Sequence, residues 1–247
     1  MDYKIVGDTM QALTIQLLQG EEIYAEAGSM LYMSEGITLD SQMKGGFLKG
    51  LARKFLAGES LFMSVFRCTG QNAHMAFAAP ITGKIIPLEL KGMTILAQRD
   101  AYLCSIGNVE LTIAFTKKLG AGFFGGEGFI LQKISGDGLV FLNAGGNMLQ
   151  MDLKPGERLR VDTGCIVSMA DTIAYDIQFV GGIKNALFGG EGLFLATLTG
   201  PGRIVLQTLP FSRLADRMRA AMGGGNVDQS QGLGGFGGII KNVISGE

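Results

Sequence analysis

Three glutamates recur in the same local pattern, and their type and spacing make them the first candidates for chemistry. Glu59, Glu127 and Glu191 each follow a glycine and precede apolar residues, at intervals of 68 and 64 residues. Three carboxylates gathered near one axis would raise one another's pKa and bind a cation. The alternative is that each carboxylate accepts hydrogen bonds from glycine-rich backbone amides in its own turn. We favour this alternative, because turn-stabilising residues repeat wherever a structural unit repeats.

The histidine and the cysteines are not part of any recognisable catalytic motif. His74 is the only histidine and lies in an apolar run, so no histidine cluster is available to hold a metal. Cys68, Cys104 and Cys165 are far apart and form no C-x-x-C pair, which predicts buried, reduced thiols. Neither a phosphate-binding glycine loop nor a G-x-S-x-G nucleophile pattern occurs. The sequence therefore predicts a non-enzymatic protein without catalytic residues, metal or cofactor.

Lysines and phenylalanines recur in three segments that precede these glutamates. The candidate interaction residues in them are Phe47, Lys49, Phe55, Lys117, Phe123, Phe124, Lys184 and Phe188. Such a mixture stacks on single-stranded nucleic acid, or docks on lipid headgroups with its lysines facing phosphate. In the third interpretation the aromatic rings close the ends of a β-barrel while the lysines stay in water. We favour closure, followed by membrane or partner docking, and place nucleic acid last.

The charge balance supports that order. The 247 residues include 21 Lys and Arg against 22 Asp and Glu, for a formal net charge of −1. A domain whose main partner is nucleic acid usually carries a basic excess, so that class is disfavoured. Hydrophobic residues make up 47% of the chain, which is enough for a sizeable core. The 39 glycines predict many tight turns between short strands.

The chain repeats part of its own sequence. Residues 13–28 match residues 149–164 without a gap, at an offset of 136. A looser copy lies between them, and the turn glycines Gly20, Gly92 and Gly156 are 72 and 64 residues apart, in step with the glutamates. The sequence therefore predicts three repeats, at about residues 10–82, 83–144 and 145–210. Together they would form a single compact β unit over residues 1–210.

Within each copy the pattern is typical of strands. Residues 149–153 and 159–162 alternate apolar and polar side chains around a turn at 154–157. Residues 135–138 and 199–202 each resemble a hairpin turn between two strands. The predicted fold class is all-β, a sandwich or barrel of tandem repeats in a pseudo-threefold arrangement.

The two ends of the chain differ from the repeats. Residues 211–222 have the spacing of a short helix that Ser212 would cap, and residues 223–247 hold nine glycines, typical of a flexible tail. The first residues do not have the pattern of a signal peptide, and the longest uncharged stretch is too polar for a spanning helix. The predicted location is cytoplasmic.

Several of these stretches resemble one known family. Residues 123–128 read Phe-Phe-Gly-Gly-Glu-Gly, residues 189–193 repeat the Gly-Gly-Glu-Gly pattern, residues 162–164 read Asp-Thr-Gly, and the tail is glycine-rich. They are similar to a widespread family of uncharacterised bacterial and archaeal proteins related to the fungal mitochondrial biogenesis (altered inheritance of mitochondria) proteins. The resemblance covers about residues 10–210.

That resemblance implies a fold similar to the tryptophan RNA-binding attenuator protein (TRAP), duplicated within one chain. It implies no enzyme activity, and the fungal members suggest a role near a membrane system. Binding of RNA or tryptophan does not follow, since fold alone does not transfer function.

The predicted function is a non-enzymatic interaction or scaffold protein that binds a protein partner or itself. One alternative is a peripheral membrane-binding module that uses the Phe/Lys segments and residues 233–244. The other is a barrel that binds a small ligand.

Overall fold

Amphipathic strands build most of the described structure. The computed structural model describes residues 2–40, 63–117, 129–179 and 194–221. In β2 (Ala12–Leu17) every second side chain, at Leu13, Ile15 and Leu17, is buried. This alternation places one face of the strand against a core and leaves the other face toward water.

Residues 2–40 contain the strands β1 (Tyr3–Val6), β2, β3 (Glu22–Glu26), β4 (Met30–Met33) and β5 (Ile37–Asp40). The next group is β6 (Met63–Cys68), β7 (Ala73–Ala78), β8 (Gly83–Glu89), β9 (Ile95–Gln98) and β10 (Tyr102–Lys117). The remaining strands are β11 (Phe129–Gly145), β12 (Met148–Leu153), β13 (Arg158–Asp162), β14 (Ile166–Ala170), β15 (Ala174–Phe179), β16 (Phe194–Thr199) and β17 (Gly202–Gln207). Helix α1 follows at Phe211–Ala221, so the prediction of an all-β chain with a short C-terminal helix is confirmed.

The same order of strand pairs occurs three times. In segment 1 (residues 12–78), β2–β7–β4 form one antiparallel set and β3–β6–β5 another. In segment 3 (residues 148–207), β12–β17–β14 and β13–β16–β15 pair in the same way. In segment 2 (residues 83–145), the long strands β10 and β11 each take part in both sets, with β8 and β9 at the sides.

Two further ladders link the segments. Strand β3 of segment 1 pairs with β10 of segment 2, and β9 of segment 2 pairs with β14 of segment 3. A sheet therefore runs continuously from each segment into the next. We call these the linking ladders.

Buried side chains of the described residues form three clusters. The first contains Phe77 and Phe141, the second Phe129 and Leu198, and the third Val140 with Tyr102. Each cluster draws mainly on one segment and borrows side chains from a neighbour. The segments are therefore joined by shared packing as well as by backbone ladders.

Neither of the two predicted hairpins forms. Residues 135–138 lie inside β11, where they pair with residues 107–110 of β10. Gly136 has a φ of +116°, and a Cβ there would lie 2.2 Å from the carbonyl oxygen of Asn108, so only glycine fits. The glycines serve the close approach of two long strands and do not reverse the chain. At residues 199–202 the chain does turn, but β16 and β17 on either side pair with other strands.

The chain divides into two units, Met1–Ser212 and Arg213–Glu247. All the strands of the described residues lie in the first unit. Within the described residues, no helix is long and apolar enough to cross a membrane.

Candidate interaction site

Almost all of the residues singled out by sequence lie outside the described residues. This applies to Phe47, Lys49, Phe55, Phe123, Phe124, Lys184 and Phe188, and to the turn carboxylates Glu59, Glu127 and Glu191. Lys117 is the last residue of β10, where its backbone pairs with Phe129. The cation site, the membrane surface and the barrel closure assigned to these residues therefore stay predictions.

Each Phe/Lys segment of the sequence joins two strands that are antiparallel partners. These pairs are β5 with β6, β10 with β11, and β15 with β16.

Within the described residues, a different carboxylate holds a repeated turn. Glu21 accepts a hydrogen bond from the backbone N–H of Leu18 at 2.8 Å. Glu157 accepts one from the N–H of Lys154, also at 2.8 Å. These residues are related by the offset of 136 found in the sequence. Glu21 and Glu157 thus each accept a backbone hydrogen bond in their own turn, the role that is predicted for Glu59, Glu127 and Glu191.

The histidine and the cysteines occupy structural positions. His74 lies on β7, where its backbone N–H donates to Ser34 Oγ at 3.0 Å and its ring packs edge-on against Tyr32. Cys68 and Cys104 are buried free thiols, as predicted, whereas Cys165 is only partly buried. Burial raises the pKa of Cys104 well above its ordinary value. In the part of the chain that the structure describes, no three His, Cys, Asp or Glu side chains gather as metal ligands.

Titratable groups with raised pKa values lie beside the first linking ladder. The pKa of Glu26 is raised from 4.5 to about 7, chiefly by burial and then by the nearby charge of Asp100, while Arg99 opposes the shift. Burial and a hydrogen bond to Glu22 raise the pKa of Tyr24 to about 12. Both groups lie on β3, beside the seam between two segments.

A cleft of about 810 Å³ opens beside this seam, lined partly by Tyr3, Tyr24, Glu22, Glu89 and Lys91. Most of its charged groups are engaged with one another or with neighbours. Glu22 pairs with Arg67 and accepts from the Tyr24 hydroxyl, while Glu89 pairs with Lys91 at 2.8 Å. The cleft therefore offers an incoming ligand mostly polar groups that already have partners.

The most unusual surface of the described residues is β4. Its four residues, Met30, Leu31, Tyr32 and Met33, are all large and apolar, and all four are exposed. On one side β4 pairs with β7, with a bulge between Met30 and Tyr32. Among the described strands, no ladder lies on its other side. We call residues 30–33 the β4 edge.

Equivalent strands in the other segments show what this exposure means. A bulge of the same kind occurs in β10 between Tyr102 and Cys104, and in β14 between Ile166 and Ser168. The bulge residues there, Leu103 and Val167, are 0% exposed, whereas Leu31 is 55% exposed. Strands β10 and β14 are covered because a linking ladder lies beside each. The β4 edge thus has the side chains of an inner strand in the position of an outer one.

The opposite end of the strand order carries a matching edge. Strand β13 pairs with β16, and within the described part of the chain no second strand pairs with it. Its counterparts β3 and β9 pair on both sides. Arg158 and Arg160 are exposed, while Val161 is buried against the core. We call residues 158–161 the β13 edge.

Sequence reasoning did not single out the β4 edge. A run of four apolar residues has neither the period of a half-buried strand nor the length of a helix. The usable signal is the 136-residue offset: extended past Gly28, it aligns Met30–Met33 with residues 166–169 of an inner strand.

Comparison with known proteins identifies similar sequences and a similar structure. The family model described as mitochondrial biogenesis AIM24 matches residues 3–209. The uncharacterised protein M6_Spy0233 of Streptococcus pyogenes serotype M6 is 27% identical over 212 residues, which cover 83% of this chain and 84% of that protein. The crystal structure of protein SPYM3_0169 from Streptococcus pyogenes has a similar fold, with a TM-score of 0.74 and 24% identity over 89% of this chain and 99% of that one. Because the family model covers nearly the whole β unit, the chain belongs to the mitochondrial biogenesis AIM24 family.

Proposed function

We propose that this member of the AIM24 family is a non-enzymatic interaction or scaffold protein of the cytoplasm. In this proposal the chain consists of three tandem repeats with a TRAP-like fold. The β4 edge is the surface that binds a partner.

The observation that carries the proposal is the exposure of the β4 edge. Leu31 is 55% exposed and Tyr32 is 48% exposed. Met30 and Met33 are 38% and 40% exposed. Monomeric proteins usually protect edge strands with charged residues, proline or a covering element. Residues 30–33 include no charged residue and no proline, and no described strand covers them. Covering four half-exposed apolar side chains would contribute roughly 1 kcal/mol each.

An edge strand also recruits partners through its backbone. A strand added beside β4 would bond to its outward N–H and C=O groups, and the side chains would provide selectivity. This mode of binding suits a scaffold, since it needs no catalytic residues. It also agrees with the mostly paired state of the charged groups around the cleft.

The proposal is tested with a photo-cross-linking residue placed at position 31 in the full chain, in living cells. We expect one defined cross-linked species, whose partner is identified by mass spectrometry. The matched control is position 149, because Leu149 is 48% exposed on the outer strand β12. The same cross-links at both positions, or none at position 31, would count against the proposal.

A further inference from the structure

The two linking ladders obey one register rule. In the first, Cys104, Ser105 and Ile106 of β10 lie opposite Ala25, Tyr24 and Ile23 of β3. In the second, Ser168, Met169 and Ala170 of β14 lie opposite Ala97, Leu96 and Ile95 of β9. Both ladders are antiparallel. In both, the residue that follows the strand bulge lies opposite the fifth residue after a turn glycine, Gly20 or Gly92.

The rule assigns a partner to every position of the two edges that lack a linking ladder. The residue after the bulge in β4 is Tyr32, and the fifth residue after the third turn glycine, Gly156, is Val161. Continued antiparallel, the same register places Met33 opposite Arg160 and Ser34 opposite Leu159.

We propose that the β4 edge of one molecule pairs with the β13 edge of a second copy of this chain, in antiparallel register with Tyr32 opposite Val161. This inference rests on the proposed function and names the partner. A second copy is the occupant because each chain carries both halves of a ladder that occurs twice within it. Within the described residues of one chain, β4 and β13 are not paired with each other.

Charge supports the register. Just past the last of these three pairs, exposed Glu35 in the turn after β4 would come near exposed Arg158. Opposite charges directly across an antiparallel pair stabilise it, and like charges destabilise it. Pairing β13 with another β13 would bring the arginines at 158 and 160 toward their own copies. The two edges therefore favour each other over themselves.

Pairing of two different edges makes the contact heterologous. Each added molecule presents a new β4 edge or a new β13 edge, so the assembly closes into a ring or grows as a filament. The mass in solution distinguishes these outcomes, and both require more than one copy.

The test uses inter-chain disulfides in full-length protein. One chain carries Met33→Cys and a second, longer tagged chain carries Arg160→Cys, both in a Cys165→Ser background. Directly opposite Cα atoms in an antiparallel pair are about 4.5–5.5 Å apart, which a disulfide spans. We expect a mixed disulfide of one chain of each kind, together with a wild-type mass above that of a monomer.

The matched control pairs Met33→Cys with Arg158→Cys. Two residues out of register add about 7 Å along the strand, so the mixed disulfide should be lost. Equal yields from both pairs, or a monomeric wild type over the micromolar range, would overturn the inference. An intra-chain disulfide in a Met33→Cys, Arg160→Cys double variant would also overturn it, since it would show the two edges closing within one molecule.

Charge reversal provides a second test without cysteine. We expect Glu35→Arg alone, or Arg158→Glu alone, to weaken self-association about fivefold, because each converts an attractive pair into a repulsive one. The two changes together should restore it. Failure of the double variant to recover would contradict the register. If the position-31 cross-link leads to a different protein, the interaction role stands and self-pairing fails.

Discussion

The hydroxyl of Tyr102 donates a hydrogen bond to the backbone oxygen of Tyr24 at 2.8 Å, joining β10 of segment 2 to β3 of segment 1. The same hydroxyl lies 2.8 Å from Ser105 Oγ and is fully enclosed, and burial raises the pKa of Tyr102 well above its ordinary value. The equivalent positions in the other segments hold Met30 and Ile166, so this bond belongs to the first linking ladder alone.

Tyr102→Phe should destabilise the chain by about 1 kcal/mol, because it removes one buried donor and keeps the ring. Urea unfolding followed by circular dichroism measures the change. The control is Tyr175→Phe, which keeps its edge-on contact with Phe115 and should stay within about 0.5 kcal/mol. An equal loss in both variants would contradict a specific role for the Tyr102 hydroxyl.

Glu26 should make stability fall as the pH rises. Its folded pKa is about 7 against an ordinary value of 4.5, so the folded state holds the proton more tightly than the unfolded state. The resulting stabilisation is fully present below pH 4.5 and is lost as the pH rises to 7, a difference of roughly 3 kcal/mol.

Glu26→Gln should flatten that part of the pH profile and make the protein more stable than the wild type at pH 8. Free energies of unfolding measured between pH 4 and pH 8 test this. Glu89→Gln is the control, because that carboxylate is exposed and lies on β8. A wild-type profile that rises through this window would show that burial does not hold the Glu26 proton.

Local pattern predicted several of the strands but not which strands lie beside them. Alternation located β12 and β13 to within a residue, because each strand has one face on the core. The glycines at 136 and 138 were misread as a hairpin, since the sequence around them is the same whether the chain reverses or lies against a close neighbour. Only the partner strand β10 decides between these outcomes.

The β4 edge was missed for a related reason. Its exposure depends on which strand lies beside it, and that is a property of the pairing order. The candidate loop residues were chosen because their types repeat, but all except Lys117 lie outside the described residues. The offset of 136 remains the one signal in the sequence that leads to both edges.

Two glycines should respond differently to alanine. A Cβ at Gly83 would lie 2.0 Å from the carbonyl oxygen of Ala144 on the paired strand, so Gly83→Ala must push β8 away from β11. We expect a loss of roughly 3 kcal/mol. Gly156 has a φ of +77° and open space around it, so Gly156→Ala should cost only about 1 kcal/mol of backbone strain. Thermal unfolding of both variants measures the difference, and equal losses would contradict the steric account.

Leu31 and Leu103 occupy the same bulge position, so the same substitution should act on different properties. Leu103→Ala empties a fully buried site and should cost roughly 3 kcal/mol at any protein concentration. Leu31→Ala removes exposed atoms and should change the stability of the dilute chain by less than about 0.5 kcal/mol.

The effect of Leu31→Ala on stability should depend on protein concentration. If the β4 edge is covered by another copy, the wild-type unfolding midpoint rises with protein concentration, because association favours the folded state. Leu31→Ala should reduce that rise, whereas Leu103→Ala should lower the midpoint and keep the rise. Unfolding midpoints measured at 1 µM and 100 µM, together with masses from light scattering, separate the loss of association from the loss of intrinsic stability. A wild-type midpoint independent of concentration would mean that the exposed side chains of β4 are not covered by a second molecule.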